Sequence, residues 1–167
     1  VSNGEFKLGK SMRFLFTDKS VIIYNAIADE GLKFNRYDNK LVIISLSRFD
    51  FAKNMDMAYR IAKALRNNHE IEFVWVGDGE DFVRLKQKSV EEHVNINFIG
   101  FTEYPMSYLK NADLYLSTSR FEGLPYALIE AASVGLPIVA TDVVGNNEVV
   151  LHDYNGLVFK TEQEAVD

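Results

Sequence analysis

Short, mostly apolar runs alternate along this chain with stretches whose apolar residues recur every three or four positions, and that alternation constrains the fold most. The runs at 21–24, 41–46, 71–76, 96–99, 114–117 and 137–140 are mostly β-branched or aromatic and show little polar alternation. A strand with one wet face alternates, so runs of this kind predict strands covered on both faces. Between them, Met55, Ala58, Tyr59, Ala62 and Leu65 fall at helical spacing. Phe82 and Leu85 mark a shorter charged helix, and 106–110 has room for one turn or two. Segment 125–134 is apolar nearly all round and predicts a helix buried against the sheet. Proline is tolerated in the first turn of such a helix, and Gly135 followed by Pro137 ends it. Strands alternating with helices predict an α/β fold with a doubly wound, mainly parallel, Rossmann-like sheet. The first 20 residues fit this scheme poorly.

Open sheets of this type bind ligands beyond the carboxyl ends of their strands, so the loops that follow strands carry the functional information. After 41–46 comes Ser-Arg-Phe-Asp-Phe-Ala-Lys, with Arg48 and Lys53 five residues apart in a loop leading into a helix. Arginine offers a planar fork to phosphate oxygens and lysine a point charge. Spacing alone equally allows a solvated loop in which Arg48 pairs with Asp50. After 71–76, Gly77-Asp78-Gly79 permits a tight turn or the close approach of a ligand, and it also reads as a plain connector. After 114–117, Glu122 and Glu130 are separated by seven residues and flank Gly123, Leu124 and the helix start. A carboxylate at 130, among Leu128, Ile129, Ala131 and Ala132, is costly without a partner, and sugar hydroxyls are natural donors to it. The alternatives are a basic partner for Glu130 and a Glu122 that merely begins the helix favourably. A fourth group, Gly145-Asn146-Asn147-Glu148, either places amides and a carboxylate at the same rim or caps a helix.

Other readings fall away. Gly4-Glu5-Phe6-Lys7-Leu8-Gly9-Lys10-Ser11 satisfies the phosphate-loop pattern, but that loop works only between a strand and a helix start. Only three residues precede Gly4, and no amphipathic helix is evident over 12–16. The three histidines share no ligand spacing, so no metal site is expected. A net charge of −6 and no basic-aromatic interleaving argue against nucleic acid as a partner. Without cysteine there are no disulfides, which fits a reducing compartment. No apolar run approaches the roughly 20 residues of a membrane helix.

Taken together, the loop motifs resemble the C-terminal domain of retaining GT-B glycosyltransferases, the group called glycosyltransferase family 4. The resemblance spans 21–159. Asn25 with Ala26 and Ile27 looks like the segment that opens that domain, and Arg48 through Lys53 looks like its Gly-Arg…Lys-Gly loop. Gly77-Asp78-Gly79 matches the family's Gly-Asp-Gly turn, and Phe98 to Phe101 its strand and glycine beside the base pocket. Ser119 to Glu130 carries the family's two glutamates, and Gly135 to Ala140, Gly145 to Glu148 and Asn155 to Val158 complete the series. Ser47, Asn54 and Ala26 stand where glycine is usual.

The resemblance implies a donor site for a nucleotide-diphosphate sugar (a UDP- or GDP-sugar) and no other cofactor or metal. Arg48 and Lys53 would hold the diphosphate and act electrostatically on the leaving group. Glu130 would bond the ribose. Glu122 with the Gly123-Leu124 backbone would contact the sugar, and Gly77 and Phe101 would border the nucleotide. It also implies a hexose-type sugar transferred with retention to a glycan or lipid-linked acceptor, in bacterial surface polysaccharide synthesis. The expected organisation is a junction remnant at 1–20 and a donor-binding domain at 21–167, shortened at its C-terminus, with the N-terminal acceptor domain absent. The full protein is expected in the cytoplasm, at the inner face of the plasma membrane through its other domain. The alternative is a non-catalytic module that keeps the fold and binds nucleotide or serves as a scaffold.

Overall fold

The computed structural model describes residues 2–12, 20–28, 31 and 40–167. Its centre is a sheet of six parallel strands, β1 (Leu41–Leu46), β2 (Ile71–Val76), β3 (Ile96–Gly100), β4 (Leu114–Ser117), β5 (Ile138–Thr141) and β6 (Gly156–Phe159). They lie in the order β3-β2-β1-β4-β5-β6. Helices α2 (Met55–Ala64), α3 (Phe82–Glu91), α4 (Pro105–Leu109) and α5 (Tyr126–Ser133) make the crossovers, and α1 (Asn3–Ser11) precedes the sheet.

Successive side chains of a strand point to opposite faces, and here both faces are buried. Ile43, Phe73, Trp75 and Leu116 pack with Met55, Ala58, Tyr59 and Ala62 of α2 and Leu85 of α3. Their neighbours Ile44, Val74, Val76 and Tyr115 pack on the other face with Leu109 of α4 and Leu128 and Ala131 of α5. That two-sided burial is why the runs show little polar alternation. An edge-to-face group of Phe49, Trp75, Phe82 and Phe98 closes the first face. Phe49 belongs to the loop after β1 and is fully buried, so it pins that loop to the core.

Two expectations are corrected. The run at 21–24 joins no strand among the described residues: Val21 and Ile23 are 79% and 74% exposed. Strand propensity measures fit to a covered pleated surface, and this run has none. Conversely, 156–159 forms the edge strand β6, although its single glycine and three apolar residues gave too short a pattern to read. The phosphate-loop match lies inside α1, with its continuation at 13–16 outside the described residues. Ser2 caps this helix through Oγ, and the carboxylate of Glu148 accepts from the amides of Asn3 (2.9 Å) and Gly4 (2.6 Å). A protein carboxylate therefore occupies this helix start.

Candidate functional site

The strand order reverses between β1 and β4, and the loops that follow these two strands part there, leaving a crevice at the carboxyl end of the sheet. A cavity of about 760 Å³ opens at this point. Arg48, Lys53, Gly77, Phe101, Glu122, Gly123, Leu124 and Glu130 all line it, so every residue expected at the site is brought to one place.

The loop after β1 is shaped by backbone bonds to the loop after β2. Ser47 N donates to Val76 O (2.9 Å), Phe49 N to Asp78 O (3.0 Å) and Asp81 N to Phe49 O (3.0 Å). Gly77, at φ +126°, makes this approach feasible, because a Cβ there would lie 1.9 Å from the carbonyl oxygen of Ser47. The Gly-Asp-Gly turn is thus more than a connector: it seats the cation-bearing loop. Asp50 then turns the chain, its Oδ1 accepting from Lys53 N at 3.0 Å. Asn54, in the left-handed region (φ 53°, ψ 46°), starts α2. Glycine is the usual occupant of such a conformation and asparagine the common substitute, which explains why Asn54 is accommodated there.

Lys53 Nζ meets Glu122 Oε1 at 2.5 Å, and Ser119 Oγ donates to the same oxygen at 2.6 Å. The side chains of Lys53 and Glu122 are only 22% and 10% exposed. Glu122 therefore does not begin a helix: α5 starts four residues later, at Tyr126 after Pro125. Arg48 reaches outward, 76% exposed, and pairs with Asp50 at 3.1 Å. An exposed pair of this kind contributes about 0–1 kcal/mol, so an incoming phosphate can displace it at little cost. Glu130, the fifth residue of α5, is half-buried and lines the cavity. Tyr115, beneath the cavity, donates from its hydroxyl to Leu46 O at 2.8 Å, and burial pushes its ionisation well above the ordinary range. It stays a donor and ties β4 to the end of β1.

The group at 145–148 serves a different purpose from the cavity rim. Asn146 is fully buried, and its Nδ2 donates to Thr141 O (3.0 Å) and Oγ1 (3.2 Å). Glu148 turns to α1. Sequence reasoning assigned no role to Ser119 or Thr141 and read Asn146 only as part of a rim or a helix cap; the available signal was small polar residues at or just beyond the ends of apolar strands. Asn25, from the segment thought to open the domain, donates from Nδ2 to Leu124 O at 2.7 Å and so touches the same rim.

A parallel sheet of this order, with two cations and two carboxylates converging at its reversal, defines a doubly wound α/β lobe of the GT-B kind. The profile of the family described as "Glycosyl transferases group 1" matches residues 29–167, and the chain belongs to that family. It is 27% identical over 142 residues to the O-antigen biosynthesis glycosyltransferase WclY of Escherichia coli, an alignment covering 78% of this chain and 39% of that one. Among solved structures, a point mutant of TarM from S. aureus, complexed with fondaparinux, α-GlcNAc-glycerol and UDP, superposes with a TM-score of 0.85. Identity is 20%, with 95% of this chain and 33% of that one covered, so it attests the fold alone. HepE from Anabaena, complexed with UDP-glucose, gives a TM-score of 0.69 at 26% identity over 77% of this chain and 37% of that one. The chain spans about two fifths or less of the length of the curated relatives it matches. Among the described residues, no helix is long and apolar enough to cross a membrane.

Proposed function

We propose that this chain is the nucleotide-sugar-binding lobe of a retaining glycosyltransferase. It would move a hexose-type sugar from a UDP- or GDP-sugar to a glycan or lipid-linked acceptor in bacterial surface polysaccharide synthesis. The observation that carries this reading is the convergence of Arg48, Lys53, Glu122 and Glu130, from three separate segments, on one crevice at the strand-order reversal. Cations there suit a diphosphate, and a half-buried carboxylate suits ribose hydroxyls. The bond to the sugar breaks with negative charge developing on the diphosphate, and Arg48 and Lys53 stabilise that charge in place. Glu122, with the Gly123-Leu124 backbone, meets the transferred sugar, while Gly77 and Phe101 border the nucleotide.

The relatives support this assignment: WclY is described for O-antigen biosynthesis and HepE was solved with UDP-glucose. The retaining outcome follows the family resemblance. Residues 21–167 form the donor lobe in this reading, 1–20 belong to a junction, and the acceptor site lies in a separate lobe that approaches the membrane from the cytoplasmic side. Titration calorimetry with UDP, GDP and ADP, on the wild type, Lys53→Ala and Glu130→Ala, tests it. Binding of one nucleotide, weakened in both variants, is the expected result and identifies the base. A folded wild-type chain that binds none of the three would defeat the donor-site assignment.

A further inference from the structure

One oxygen of Glu122, Oε1, holds two partners at once, Lys53 Nζ at 2.5 Å and Ser119 Oγ at 2.6 Å. These partners differ in how freely they can leave. Lys53 carries a long, flexible stem, and a bound diphosphate would compete with Glu122 for its ammonium. Ser119 has no such freedom. It is 3% exposed, and its carbonyl oxygen accepts from Thr141 Oγ1 at 2.6 Å. Thr141, at the end of β5, is held in turn by the buried Nδ2 of Asn146. Behind the same loop, Gly145 lies so close to Gly123 that a Cβ would stand 2.3 Å from the Gly123 carbonyl oxygen. The loop from 119 to 123 is therefore braced from β5 and from the one-turn helix Asn146–Glu148, elements that do not carry the phosphate cations.

We propose that Ser119 is a positioning residue for the sugar-contacting carboxylate, holding Glu122 in place when Lys53 turns to the donor diphosphate, with Thr141 and Asn146 fixing Ser119 from behind. The inference rests on the donor-site reading above. It divides the labour at the site. The β1 loop, through Arg48 and Lys53, responds to phosphate. The β4 loop, braced by β5, keeps its carboxylate aimed at the sugar whether or not phosphate is present. A lysine alone would surrender Glu122 at the moment the sugar arrives.

The test compares UDP with UDP-glucose, in which the terminal phosphate of UDP is esterified to the sugar. Calorimetric titration of the wild type, Ser119→Ala and Ser119→Thr is expected to leave the UDP affinity of every protein within about twofold, because both cations remain. UDP-glucose should bind Ser119→Ala on the order of tenfold more weakly, the effect of losing one hydrogen bond to a charged group. Ser119→Thr, which keeps a hydroxyl, should recover most of that loss. Equal weakening for both ligands would mean that Ser119 only shapes the cavity wall, and no change for either would mean that Lys53 suffices; both overturn the proposal. Failure of the underlying reading shows differently, as a wild-type chain that binds neither ligand.

Discussion

Lys53 and Glu122 allow two substitutions whose effects on nucleotide binding should diverge, one weakening it and the other not. In Lys53→Ala, the diphosphate loses a charge-assisted hydrogen bond of about 1.5–3 kcal/mol, equivalent to a Kd roughly 10- to 150-fold higher. The loss falls toward the upper end, because the Glu122 carboxylate, only 10% exposed, then faces the diphosphate without its neutralising partner. In Glu122→Gln the ammonium no longer chooses between two anions, and a like charge beside the diphosphate is gone. UDP should therefore bind as tightly as in the wild type or up to about tenfold more tightly, a gain of up to about 1.4 kcal/mol. Folding is a smaller matter for both. Glu122 keeps its Ser119 bond in Lys53→Ala, so the melting temperature should fall by about 2–4 °C, the shift expected for roughly 1 kcal/mol at this size. Calorimetry with UDP, paired with thermal melts, reads both quantities. If the two substitutions weaken UDP binding to the same extent, the pair is a strut that shapes the crevice, and Lys53 does not serve the diphosphate.

Three further outcomes follow from the loop geometry and the contact to α1. Gly77→Ala sets a Cβ 1.9 Å from the Ser47 carbonyl oxygen at φ +126°. It should cost at least about 2 kcal/mol in urea unfolding and weaken UDP binding as the 47–53 loop shifts. Asn54→Gly relieves a left-handed asparagine and removes the buried Oδ1, which has no hydrogen-bond partner, so urea unfolding should show a gain of about 1 kcal/mol. Burial pushes the Glu148 carboxyl up, but the amides of Gly4 and Asn3 outweigh it and hold the group below the ordinary glutamate value. A depressed folded-state value stabilises the docked helix above the unfolded value, and that contribution disappears as pH falls through the lower one. The amide shifts of Asn3 and Gly4 should therefore titrate together in NMR, with a midpoint below that of an exposed glutamate, and Glu148→Gln should abolish the titration.

Much of this protein was legible in the residues because the relevant signals are local. Ile43-Ile44 and Phe73-Val74-Trp75-Val76 lack polar alternation only if both faces of the sheet are covered, and that one fact implies crossover helices and a parallel sheet. Once the sheet is parallel, the loops after its strands converge on one end, so the loops bearing Arg48, Lys53 and Glu122 could be placed there without coordinates, while the grouping of all four residues, with Glu130 inside α5, came from the family resemblance. Side-chain partnerships were not legible, because they join residues far apart in the chain. Lys53 and Glu122 are 69 positions apart, and nothing in either loop states that they share an oxygen with Ser119. Gly77 reads as a turn or a ligand approach and Gly145 as part of a rim or a helix cap, whereas their tertiary task is to let one backbone lie against another. Glu148 could be read as a rim carboxylate or as part of a local helix cap, and it serves instead the start of α1, where Gly4 lies 144 positions earlier. The run at 21–24 had the right composition for a strand but pairs with no strand among the described residues. Periodicity and burial demand are properties of short segments and so appear in the sequence. Pairing, bracing and close approach depend on which segments meet, and only the folded chain decides that.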